Sequence, residues 1–161
     1  MNKDVVPVQV RGILPANSGC AVFIGNDEKV FVIQVENNMG WIIGNFLKET
    51  PKDRPLTHDL MNSVFKGFGI NVERVIISDL KNATYFARLI LQQQNELGRK
   101  LVEIDARPSD CIALAAAQKR PNFVAASLFE QVEDMSEELS KINEQGEPGE
   151  SGESGGQSEE V

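Results

Sequence analysis

Hydrophobic and polar positions alternate in short runs at the start of the chain. Val5–Val10, Gly19–Ile24 and Lys29–Val35 are rich in β-branched residues and bounded by Pro, Gly or Asn-Asp, a pattern that predicts three strands joined by turns. Then the period changes. Met39, Ile42, Ile43, Phe46 and Leu47 fall at i, i+3, i+4, i+7 and i+8, which predicts a helix with one apolar stripe that Asn38 can cap. Gly40 and Gly44, one turn apart in it, weaken the helix but permit close backbone approach. Leu60, Met61, Val64, Phe65 and Phe68 repeat the spacing in a second helix, ended by Gly67 and Gly69.

Strands return at Val72–Ser78, Thr84–Leu91 and Leu101–Asp105, with hairpin turns expected at Asp79–Asn82 and Gln94–Gly98. An Ala-rich helix over about 110–119 opens after Ser109, Phe123–Ala126 reads as one more strand, and Leu128–Val132 as a closing helical turn. The order βββααβββαβ makes the fold α+β rather than doubly wound. Neither GxGxxG nor GxxxxGK[ST] occurs, so dinucleotide and P-loop chemistry have no support.

Charge divides the chain. Of the 24 acidic and 16 basic residues, residues 1–132 carry a balance of +1 and residues 133–161 a balance of −9. A single compact domain is therefore expected over 1–132, followed by an acidic tail over 133–161. In the tail Met135, Leu139 and Ile142 predict a short helix to about residue 144, and the Gly-Glu-Ser repeat from Gly146 predicts disorder. An overall charge of −8 argues against an anionic partner, but that charge belongs to the tail, which can itself act as a tethered phosphate mimic. No apolar run approaches the ~20 residues of a membrane span, and the N-terminus lacks a signal-peptide core. Cys20 and Cys111 stand far apart outside any CxxC pattern and read as small buried residues of a reducing compartment. A cytoplasmic location is expected. Trp41 and Tyr85 read as core residues.

Chemistry concentrates in two windows, Arg54-Pro55-Leu56-Thr57-His58-Asp59-Leu60 and Asp105-Ala106-Arg107-Pro108-Ser109-Asp110. Each sets Arg-Pro before a helix, then a hydroxyl residue where a cap belongs, then an Asp in the first turn. With Asp53 they gather the only histidine, two arginines and four aspartates. These are ingredients of phosphodiester hydrolysis: carboxylates for a divalent cation, guanidinium groups for phosphate oxygens, and an imidazole. The same residues also suit helix caps and ion pairs that pin loops, and both readings stay open at this level. Basic residues are scattered, with no aromatic-basic stacking platform.

Together with Tyr85-Phe86-Ala87-Arg88-Leu89, and with Cys111-Ile112-Ala113-Leu114-Ala115 extending the second window, these segments resemble the motif series of the bifunctional nuclease domain family over about residues 5–132. The resemblance implies a compact α+β homodimer with nuclease activity toward DNA and RNA. Two positions depart from the family pattern: Glu36 stands where a Gly is expected after Ile33-Gln34-Val35, and Cys111 where Ala is usual. A single histidine cannot supply an acid–base pair within one subunit. Metal-assisted hydrolysis is therefore the expected mechanism, with Asp59, Asp105 and Asp110 holding Mg²⁺ or Mn²⁺, and Arg54, His58 and Arg107 as the catalytic set. The alternative is a non-catalytic dimeric interaction module whose Arg-Pro corners are structural.

Overall fold

The computed structural model describes residues 4–145. The elements are β1 (Val5–Ala16), β2 (Gly19–Gly25), β3 (Val30–Val35), α1 (Asn37–Lys48), α2 (Thr57–Gly67), β4 (Ile70–Lys81), β5 (Thr84–Asn95), β6 (Gly98–Ala106), α3 (Pro108–Gln118), β7 (Asn122–Ala125), α4 (Ala126–Gln131) and α5 (Ser136–Gln145). The α+β class and the expected order hold, with α4 and α5 completing it. One seven-stranded sheet runs β3-β2-β1-β7-β4-β5-β6. Every described pair is antiparallel except β4 with β7. No helix among the described residues is long and apolar enough to cross a membrane.

Strand β1 serves two partners. Val5–Val8 pair with β7, and Gln9–Ala16 pair with β2 after a register shift between Val10 and Gly12. The hairpin β4–β5 turns at Asn82-Ala83, both in the left-handed region (φ 50° and 60°). The expected turn at Asp79–Asn82 therefore moves toward its C-terminal end, because β4 continues to Lys81. Likewise β5 runs to Asn95 and turns only at Glu96-Leu97.

The sheet has two unlike faces. On one, Val22, Ile24, Phe31 and Ile33 join Val72, Val75 and Ile77 beneath α1 and α3 in the main core. Gly40 lets α1 approach β2: a Cβ there would collide with Cys20 Sγ, whereas Gly44 has only an ordinary contact at 3.9 Å. On the other face Phe23 and Val30 pack with Leu139 of α5, so this helix of the expected tail docks on the body. The repeat from Gly146 lies outside the described residues. Both cysteines are buried and free. Burial, then the charges of Asp110 and Asp105, push the Cys111 thiol up to about 12, which leaves it inert as a nucleophile.

Three apolar assignments change. Leu47, the last position of the α1 stripe, is exposed. Trp41 is 57% exposed rather than in the core. On α2 the expected stripe is only half used: Met61 and Phe65 pack against the core, while Leu60, Val64 and, just past the helix, Phe68 are exposed.

Candidate active site

The two Arg-Pro segments open helices differently. In the first, Leu56 is the extended N-cap of α2, Thr57 the first helical residue and Asp59 the third. In the second, Arg107 is itself the extended N-cap of α3 and Pro108 the first helical residue, so Asp110 is again third. Proline at each site forces its predecessor into an extended conformation. The Arg-Pro pair therefore lies two residues farther from the helix in the first corner. Thr57 and Ser109 cap nothing through their side chains, because both lie inside the helices they were expected to precede.

In the first corner Asp59 accepts from the Leu56 N–H at 2.8 Å and from Lys52 Nζ at 2.9 and 3.0 Å. Lys52 also lies over the Phe46 ring, 3.9 Å from its centroid. Burial works to raise the Asp59 pKa, but the Lys52 and Leu56 donors outweigh it and hold it below the ordinary carboxylate value. Arg54, on the far side of Pro55, is exposed and makes no ion pair among the described residues.

The second corner is wired across the molecule. His58 Nε2 lies 2.9 Å from Asp110 Oδ1, and Arg107 Nε donates to Asp110 Oδ2 at 2.9 Å. Arg107 Nη2 reaches Oδ1 at 3.4 Å, and Nη1 reaches Glu36 Oε1 at 3.3 Å. Glu36 is the N-cap of α1, so the chain His58–Asp110–Arg107–Glu36 ties together the N-terminal ends of all three long helices. Burial works to raise the Asp110 pKa, yet Arg107 and then His58 more than offset it, and the net displacement is downward. An ionised carboxylate only accepts, so the proton of His58 sits on Nε2. Nδ1 is buried and has no partner among the described residues. The His58 side chain is only 8% exposed, that of Asp110 29% and that of Arg107 59%.

Beside this network lies a groove of about 650 Å³, lined by the first turns of α1, α2 and α3, by Trp41, Ile42, Met61 and Phe65, and by Leu89, Leu91 and Ile104 of the sheet. Three helix N-termini supply positive dipole ends and backbone N–H donors to one place, and α1 has neither an acidic first turn nor a side-chain cap. His58, Arg107 and Asp110 all line the groove. A larger hollow of about 940 Å³ lies against the far end of α3, near Lys119 and Arg120, and contains none of the expected site residues.

The six expected residues therefore separate. His58, Arg107 and Asp110 come together; Arg54, Asp59 and Asp105 do not join them. Asp105 is exposed on β6, and the oxygens of Asp59 are committed to Lys52 and Leu56. Among the described residues no group of three or more His, Cys, Asp or Glu side chains is placed to hold a metal ion. These residues do not fit the expected Mg²⁺ or Mn²⁺ site. Glu36 and Lys52 are the partners that sequence reasoning missed. Glu36 carried a signal, as the residue that departs from the family pattern; Lys52 carried none beyond its charge.

The sequence model of the bifunctional nuclease domain matches residues 22–137, from β2 into α5 and across both corners. Two proteins of Mycobacterium tuberculosis, from strains CDC 1551 / Oshkosh and ATCC 25618 / H37Rv and each named only as an uncharacterized protein, are 33% identical over 78 residues. That segment is 48% of this chain and 43% of each relative. The match thus spans less than half the length of those relatives.

Proposed function

The chain belongs to the bifunctional nuclease domain family, and from that premise we propose that it hydrolyses phosphodiester bonds of DNA and RNA at the His58–Asp110–Arg107 corner. One observation carries the reading: Asp110, fixed by His58 on one oxygen and Arg107 on the other, faces a groove where three helix N-termini meet. Arg107 is the group that takes the phosphate. Its Nη1 exchanges Glu36, a mostly exposed partner at 3.3 Å, for a non-bridging oxygen, and backbone N–H groups of the helix ends add to the cradle. Asp110 orients the attacking water and accepts its proton as the water oxygen bonds to phosphorus. The P–O bond to the leaving oxygen breaks, and that oxygen takes a proton from solvent. Its lowered pKa keeps it ionised at neutral pH, at some expense of base strength. His58, nearly sealed from solvent, is a positioning residue that holds the carboxylate plane through Nε2–H. Arg54, exposed outside the groove, binds a flanking phosphate.

Purified protein is expected to nick supercoiled plasmid and to shorten single-stranded RNA, assayed with and without Mg²⁺ or Mn²⁺ and with chelator. Arg107→Ala and Asp110→Ala, each checked by circular dichroism, are expected to abolish cleavage. Activity that survives in both folded variants places the chemistry elsewhere. A second reading rests on the closure of the same network: Arg107 is held by two carboxylates and His58 is buried, as a clamp joining three helices would be. Wild-type protein that is folded and shows no turnover under any of these conditions identifies that clamp, and with it an interaction module.

A further inference from the structure

Trp41 is the only tryptophan in the chain. It stands on α1 between Gly40 and Ile42, both buried, yet is itself 57% exposed. It is not an isolated surface residue, because it lines the groove beside the His58–Asp110–Arg107 network. An indole left open on a concave apolar surface marks a place where a ligand covers it.

The groove says what kind of ligand. Ile42, Leu89 and Leu91 give it a buried apolar wall. Arg107 and Asp110 are the only Arg, Lys, Asp or Glu residues that line it. Two exposed polar residues, Asn38 and Thr57, line it as well. Asn38 is the second residue of α1, a helix without a side-chain cap, so its amide is left for a ligand. An apolar hollow beside a guanidinium and helix N-termini suits a flat, uncharged ring that carries an anion. An unpaired nucleotide is such a molecule: its base has apolar faces and polar edges, and its phosphate is anionic. Trp41 is the fifth residue of α1, and Glu36, which accepts from Arg107 Nη1, is the N-cap of the same helix. The two positions are about 7.5 Å apart along the helix axis, within the reach of one nucleotide.

We propose that the groove receives an unpaired nucleobase stacked on Trp41, while the adjoining phosphate meets Arg107. The substrate class is then single-stranded RNA or DNA, with duplex cleaved only where it opens. A paired base has its edges in the pair and its faces in the stack, and enters only after it is flipped out. This deepens the nuclease reading and rests on it for the identity of the polymer. Trp41 sets specificity and takes no part in proton transfer.

The single tryptophan is its own probe. A labelled, hydrolysis-resistant phosphorothioate single strand is titrated into the full chain. Anisotropy reports binding, and tryptophan fluorescence reports a base on Trp41. The single strand is expected to bind and to quench the fluorescence strongly. The same sequence as a duplex, and an abasic strand of equal charge, are expected to quench little. Trp41→Leu, which stays apolar but cannot stack, is expected to keep the wild-type melting temperature and to lose about 10-fold in affinity for the single strand. Trp41→Phe is expected to recover most of that loss. A single strand that binds without quenching overturns the proposal, as does failure of any strand to bind. So does a duplex or abasic strand that quenches equally, or a folded Trp41→Leu that binds as well as wild type. Cleavage is read separately on unmodified strands. Wild type that binds and quenches but turns nothing over sinks the hydrolysis and leaves the base site standing. Equal cleavage of a single strand and of relaxed linear duplex overturns the base site and leaves the hydrolysis standing.

Discussion

The two Arg-Pro corners look like copies in the sequence and behave as opposites in the structure. Both put an aspartate at the third position of a helix, where its charge meets the positive end of the dipole. In one, the arginine is the N-cap and folds back on that aspartate, which also receives a buried histidine from the other corner. In the other, a two-residue offset carries the arginine away into solvent, and a lysine seven residues upstream takes its place on Asp59. A shared dipeptide thus fixes the turn but not the partner. What distinguishes a candidate site from a helix cap here is the third group, His58, which commits one corner to the other.

The comparison breaks most easily at Asp110. Asp110→Ala leaves the buried Nε2–H of His58 without an acceptor and releases Arg107, at an expected loss of about 2–3 kcal/mol in urea unfolding. Asp59→Ala removes a backbone cap and a partly exposed lysine pair, and about 1 kcal/mol is expected. Equal losses, or the reverse order, would make the corners equivalent after all.

Acid should weaken both corners. Both carboxylates have pKa values displaced downward in the folded protein. A depressed folded pKa adds stability above the unfolded carboxylate value, and that stability is lost as pH falls through the folded value. Melting temperature should therefore drop on acidification below the ordinary carboxylate range. Asp110→Asn and Asp59→Asn should each flatten that acid limb, and a limb unchanged in both variants would place the acid sensitivity elsewhere. The smallest effect is expected at Arg54, where the alanine variant should stay within about 0.5 kcal/mol of wild type by chemical denaturation.

Much of the fold was legible because helix and strand periods are clean where one face is buried. Met39, Ile42 and Ile43 of α1 follow the stripe, and all three are buried. The strand ends were less legible. Gln92-Gln93-Gln94 are polar yet belong to β5, since the ladder with β6 continues through all three and β4 also pairs with Gln92 and Gln93. Strand β1 was truncated at Val10 because a strand that changes partners does not keep one alternation through its register shift. On α2 the full apolar stripe read as core, but periodicity cannot tell a face turned to the core from one left open, and Leu60, Val64 and Phe68 lie outside. At the site, the types of residue were legible and their grouping was not. Asp105 precedes Arg107 by two residues, yet strand alternation turns it to the face of β6 opposite Ile104, which lines the groove.

Side-by-side cleavage of a labelled single-stranded RNA by Asp110→Asn and Asp59→Asn, each with a thermal melt to show it folded, tests the functional difference between the corners directly. Asp110→Asn should lose about 100-fold or more in rate, while Asp59→Asn stays within a few-fold of wild type. Equal rates in the two variants, or a greater loss in Asp59→Asn, would contradict the assignment of the site to the corner that His58 joins.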